Sequence, residues 1–169
     1  MSSESVHHSL WRRVSAGYAR LLTWLLAASV AVLIVPVSLQ IFSRYTELIP
    51  AYIWTEEMAR FLFVWMIMLG AMLGVRESSH FVVDVWPRLG SRTAALLRIV
   101  SNLFVLIAAM AFLWWGIEFT HFALGRVSEL AELPLWMIHV AWPLAGATWI
   151  AFLGEQFYDD LRTALGRAR

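Results

Sequence analysis

Residues 21–43 read LLTWLLAASVAVLIVPVSLQIFS, 23 consecutive residues without a charge. A helix needs roughly 20 mostly apolar residues to cross roughly 30 Å of hydrocarbon. This run meets that length. It exceeds the about 7–15 apolar residues of a signal-peptide core, and it continues into Gln40-Ile41-Phe42-Ser43 without a convincing cleavage site, so it is expected to be a retained span. Three more spans follow. Phe61–Val75 holds 15 uncharged residues. At about 1.5 Å per residue these cover only roughly 22 Å, so the helix is expected to extend upstream through Trp54-Thr55-Glu56-Glu57-Met58-Ala59-Arg60. The third core runs from Ile99 to Ile117, and the fourth from Leu133 to Gly154. Pro134 suits a first helical turn, whereas Pro143 and Pro36 sit inside their spans and should kink them or free a carbonyl.

Composition agrees. Of 169 residues, 60% are hydrophobic and 15% charged, against about 25% charged in an ordinary soluble domain. The absence of cysteine excludes a disulfide scaffold, a thiolate zinc site and a Cys nucleophile. High hydrophobicity excludes disorder. A net charge of +1 argues against nucleic acid as a partner.

Arginine placement sets the expected orientation. Ten arginines flank the spans on one side: Arg12, Arg13, Arg20, Arg76, Arg88, Arg92, Arg98, Arg162, Arg167 and Arg169. Arg44, Arg60 and Arg126 lie on the other. The expected fold is therefore an all-α integral membrane protein, a single membrane domain over 1–169. It has four transmembrane helices, over approximately 21–43, 54–75, 97–117 and 133–154. Both termini are cytoplasmic. A short amphipathic interfacial segment, approximately 79–89, joins the second and third helices.

Chemistry-bearing residues concentrate between Trp54 and Asp84. Glu56 and Glu57 precede Arg60 by four and three residues, spacings at which a carboxylate meets a guanidinium on a helix. The stripe Glu56, Arg60, Phe63, Ile67, Gly70, Gly74 keeps a 4,3,4,3,4 rhythm, a single helix face. Gly70 and Gly74 form a G-x-x-x-G, which admits another helix backbone. Such a face suits protein contact; the alternative is an interfacial ion pair that snorkels to water. In the 79–89 segment, His80, Asp84 and Arg88 share one helical face opposite Phe81, Val82, Val85, Trp86 and Leu89. That pattern fits a helix lying on the membrane surface. A His–Asp pair also relays protons or binds metal, but there is no third ligand nearby. His121 and His139, at the end of the third span and the start of the fourth, suggest an alternative, axial haem ligation. Almost nothing ionisable lies at mid-depth, where a transported ion or solute needs polar ligands. By elimination the chain reads as an accessory subunit with no catalytic centre, metal or cofactor.

The stretch Trp54-Thr55-Glu56-Glu57-Met58-Ala59-Arg60-Phe61-Leu62-Phe63-Val64-Trp65 resembles the W-x-E-E-x-x-R-x-x-x-x-W segment of the small membrane subunit of tripartite ATP-independent periplasmic (TRAP) transporters, the DctQ-like family. Gly70-Ala71 and Arg76-Glu77-Ser78-Ser79-His80-Phe81-Val82-Val83-Asp84 are similar to its next motifs. Leu133-Pro134-Leu135-Trp136 and Trp142-Pro143-Leu144-Ala145-Gly146 are similar to its P-x-W and P-L-x-G positions. The departures are Phe81, where Ile or Leu is usual, and Ala145. The resemblance covers residues from about 20 to 155. It implies a bacterial inner-membrane, sodium-coupled importer of carboxylate-bearing solutes. Its partners would be a large DctM-like elevator subunit, a DctP-like periplasmic binding protein and membrane lipid. It further implies that Glu56, Glu57, Arg60, Gly70, Gly74, His80 and Asp84 serve the partner interface. Glu47, Arg126, Glu129 and Glu132 would help dock the binding protein.

Overall fold

The structure, a computed structural model, describes residues 3–46, 50, 52–77 and 91–164, with side-chain environments over 11–46, 50, 52–77, 97 and 99–158. Glu47, His80, Asp84 and the expected interfacial segment 79–89 lie outside the described residues.

The described residues are mostly helical: α1 (Ser3–Tyr45), α2 (Trp54–Glu77), α3 (Ser91–Ala123), the single turn α4 (Trp136–His139) and α5 (Ala141–Ala164). Four stretches are long and apolar enough to cross a membrane: Trp11–Tyr45, Trp54–Glu77, Ile99–Ala123 and Trp136–Tyr158. Helix is the form such stretches must take, because every backbone N–H and C=O is then satisfied without water. Side-chain hydroxyls do likewise. Thr23 and Ser29 donate to the carbonyls of Ala19 and Leu25 four residues back, and Ser43 donates to Gln40.

The chain divides into two compact units, Met1–Leu73 with Gly125–Ile138, and Gly74–Leu124 with His139–Arg169. In the first, α1 carries 43 residues, about 65 Å of helix, and therefore continues well beyond the 21–43 run. It passes through Pro36 without ending. Its covered side is Ser15, Ala19, Leu22, Leu26, Ser29, Leu33, Pro36, Gln40 and Ser43, in an unbroken 4,3 rhythm. The rest of its surface is largely exposed and, within the span, apolar. α2 begins at Trp54, as the short Phe61–Val75 core requires, with the Thr55 hydroxyl donating to the Tyr52 carbonyl at 2.6 Å. Glu56 and Glu57 occupy its first turn, where negative charge complements the helix dipole.

In the second unit α3 packs along α5. Among the described side chains of α3 the buried ones are Asn102, Ala109, Gly116 and Ala123, seven apart, and the last three make a seam of small residues. α5 answers with Ala141, Ala145 and Gly146, all buried. A Cβ at Gly116 would lie 2.7 Å from the Pro143 nitrogen, and one at Gly146 would lie 2.7 Å from the Ala109 oxygen and the Leu113 nitrogen. The backbones touch, as small residues in membrane helices permit. Above and below this seam Phe112 packs between Trp142 and Trp149, at centroid distances of 5.0 and 4.9 Å. Gln156 donates to the Val75 carbonyl at 2.7 Å, filling one acceptor left open near the end of α2.

The fourth helix departs from the sequence expectation. The apolar pattern places its start at Leu133, but residues 126–135 form a small hairpin instead. Val127 and Pro134 pair in an isolated antiparallel bridge. Ser128 N–H donates to the Leu133 carbonyl and Leu135 N–H to the Arg126 carbonyl, at 2.9 and 3.0 Å. The turn needs one left-handed residue, Glu132 at φ 52°, and Gly125 at φ 77° turns the chain out of α3. After the single turn of α4 the helix is interrupted at Val140 and resumes at Ala141. Pro143 explains the break: it has no N–H for the carbonyl of His139, and its ring crowds that carbonyl. It therefore sits in the first turn of α5, where proline is tolerated.

Candidate functional site

Successive residues of a helix are about 100° apart, so Glu56 and Glu57 leave α2 in different directions. Glu56 lies on the stripe Glu56, Arg60, Phe63, Ile67, Gly70, Gly74. Glu57 begins a second stripe, Glu57, Phe61, Trp65, Met68, Met72, on roughly the opposite side. Burial separates the two. Met68, Leu69 and Met72 are buried. Glu56, Arg60, Phe63, Ile67 and Gly74 are exposed and Gly70 is partly so.

The exposed stripe has the ion pair expected from its spacing: an Arg60 guanidinium nitrogen stands 3.5 Å from a Glu56 carboxylate oxygen. Both side chains are about two-thirds exposed, at 65% and 69%. An exposed pair of this kind contributes about 0–1 kcal/mol to folding in water, so the chain's own stability does not explain it. Gly70 and Gly74 complete the face, and no heavy atom lies within 4 Å of where a Cβ would stand on either. α2 thus presents one uncovered side that is charged at one end and bare at the other.

The inner stripe holds contacts that the spacing did not reveal. The Glu57 carboxylate accepts the backbone N–H groups of Leu130 and Ala131 at 3.1 and 2.7 Å. The Ser128 side chain hydrogen-bonds the same carboxylate, and the Ser128 hydroxyl oxygen accepts the Leu133 N–H at 3.1 Å. Glu57 therefore clasps the tip of the 126–135 hairpin instead of sharing Arg60 with Glu56. Two turns further along, the Trp65 indole N–H donates to the Met137 carbonyl at 3.0 Å. Bonds to a charged acceptor are roughly twice as strong as neutral ones, so α2 grips this loop at its tip and again at α4. The signal in the sequence was the second stripe itself, with a carboxylate and an indole donor on the side facing away from Arg60.

Arg126, Glu129 and Glu132 are exposed on the same hairpin. His139 meets the Phe119 ring edge-on at 4.2 Å. His121 lies two residues beyond Phe119, about 200° further round α3, and is exposed. The two imidazoles are therefore not turned toward one another. Among the described residues no group of three or more His, Asp or Glu side chains converges as a metal site.

Comparison with known proteins agrees with this architecture. The family described as tripartite ATP-independent periplasmic transporters, DctQ component, matches residues 33–163. The chain is similar to the isethionate TRAP transporter permease protein DctMQ of Oleidesulfovibrio alaskensis, with 27% identity over 128 residues, 71% of this chain and 20% of that relative. It is also similar to a putative TRAP transporter small permease protein of Haemophilus influenzae, with 28% identity over 93 residues, 54% of this chain and 58% of that relative. The chain thus spans about a fifth of the first relative and somewhat over half of the second. With four helices among the described residues long and apolar enough to cross a membrane, and a family match over most of its length, the chain belongs to the DctQ-component family of tripartite ATP-independent periplasmic transporters.

Proposed function

We propose that this subunit serves a sodium-coupled secondary transporter importing carboxylate-bearing solutes that a periplasmic binding protein delivers. In this reading the exposed side of α2 packs against the static scaffold of a large elevator-type subunit in the bacterial inner membrane, with both termini cytoplasmic. The observation that carries the reading is the composition of that side. A neutral Glu56–Arg60 pair offers an anionic headgroup no net charge, and two uncovered glycines one turn apart make a track the width of a helix backbone. A partner helix gains close approach along the glycines and polar contacts at the ion pair. The name of the Oleidesulfovibrio relative adds support: it joins M and Q, and this chain matches 20% of its length. The isethionate in that name is a small organic anion, which favours an anionic solute. The exposed Arg126, Glu129 and Glu132, together with Glu47, would tune encounter with the binding protein, as rim charges do. His80 and Asp84 would hold the 79–89 segment against the bundle or the large subunit. The subunit itself performs no catalysis.

The test is to tag the chain in its own host, solubilise gently and identify what co-purifies. A stoichiometric large polytopic partner is expected, and Arg60→Ala should lower its yield and solute uptake while membrane insertion stays normal. Recovery of the chain alone in several mild detergents, or with respiratory subunits, contradicts the proposal.

A further inference from the structure

α1 has a second side that the transporter reading does not use. Arg13, Gly17, Arg20 and Trp24 follow one another at spacings of 4, 3 and 4, and Ala28, Ala31 and Val35 continue the same stripe. All seven are exposed, with Trp24 at 76%. They lie opposite Ser15, Ala19 and Leu22, which are buried. No heavy atom stands within 4 Å of a Cβ position at Gly17, so a gap opens between the two arginines. Below Trp24 the two alanines leave a shallow track in the apolar run.

Charge on this helix is one-sided. No Asp or Glu occurs between Glu4 and Glu47, and no described residue pairs with Arg13 or Arg20. The order of chemistry along the stripe is cation, gap, cation, indole, then small apolar side chains. That is the order in which a phospholipid presents its phosphate, glycerol backbone and acyl chains. Arginine binds phosphate bidentately through its planar fork. Tryptophan prefers the headgroup level. The arginines are two turns apart, about 10 Å along the axis, a distance that two extended side chains close onto one headgroup.

We infer that the Arg13–Gly17–Arg20–Trp24 stripe of α1 is a binding site for one anionic phospholipid. Its phosphodiester sits over Gly17 between the two guanidinium groups, and an acyl chain runs along Ala28 and Ala31. The site uses neither the α2 face nor the hairpin, so it stands or falls separately from the proposed partner contact.

Native mass spectrometry of the full chain, with whatever co-purifies, reads the site directly after exchange into nanodiscs containing phosphatidylglycerol or phosphatidylcholine. The wild type should retain phosphatidylglycerol in preference to phosphatidylcholine. Arg13→Gln with Arg20→Gln should lower that retention about thirtyfold, the order that two arginine contacts to an anionic headgroup supply. Gly17→Leu, which fills the gap and keeps both charges, should lower it comparably. If the glutamine pair fails to insert, Gly17→Leu alone carries the test. Arg162→Gln with Arg167→Gln removes the same charge elsewhere and should leave retention unchanged. An equal loss in that control pair, or full retention in Gly17→Leu, overturns the site.

Discussion

Glu57 shows how one side chain changes meaning when its direction is known. By spacing it joins Glu56 as a second partner for Arg60. In the fold it accepts two backbone N–H groups of the 126–135 hairpin. Those amides have few alternatives, because the turn residues at the tip lack ladder partners and unpaired backbone donors are costly. Glu57→Gln keeps the side-chain size but removes the charge that strengthens both bonds. Hydrogen exchange at the Leu130 and Ala131 amides should accelerate severalfold, while helix content by circular dichroism stays constant. Unaltered exchange would mean that the hairpin holds its own tip without the clasp.

The glycines separate two kinds of helix contact. Gly116 and Gly146 sit where α3 and α5 backbones meet, and an added Cβ would meet backbone atoms at 2.7 Å. Gly70 and Gly74 meet nothing within the chain. Gly146→Ala should therefore destabilise the isolated subunit by about 1–3 kcal/mol, the usual cost of overpacking a close contact. Gly70→Leu should leave the isolated subunit's thermal midpoint unchanged and lower the stability of the complex. Thermal melts of each variant, alone and with its partner, distinguish the two; a Gly70→Leu subunit that melts early on its own would place Gly70 inside the fold. The spans themselves were legible because apolar length needs no tertiary context: α2 starts at Trp54, where the short apolar core demands. The Glu56–Arg60 pair was legible for the same reason, since i,i+4 geometry is local. The start of the fourth helix was not. Leu133-Pro134-Leu135 satisfies both a helix start and a hairpin end. What decides between them is the bond from Ser128 and the clasp from Glu57, 73 or more positions away in sequence. The hydropathy of the 133–135 segment carries no trace of either.

At the scale of the whole molecule, exposed apolar surface alone cannot assign a partner. Large apolar side chains remain exposed on α1, α2 and α3, and lipid covers such surface as readily as protein does. The α2 face differs by its ion pair in line with two bare glycines one turn apart, and on that combination the proposal of a subunit widening a larger scaffold rests. A photo-crosslinking residue at Ile67, at the centre of the exposed stripe, reports its neighbour in native membranes, with Met72 on the buried side as the internal control. A crosslink is expected from position 67 to a large polytopic membrane protein, and none to it from position 72. Adducts at position 67 with lipid alone, or with a second copy of this chain, would contradict the proposal.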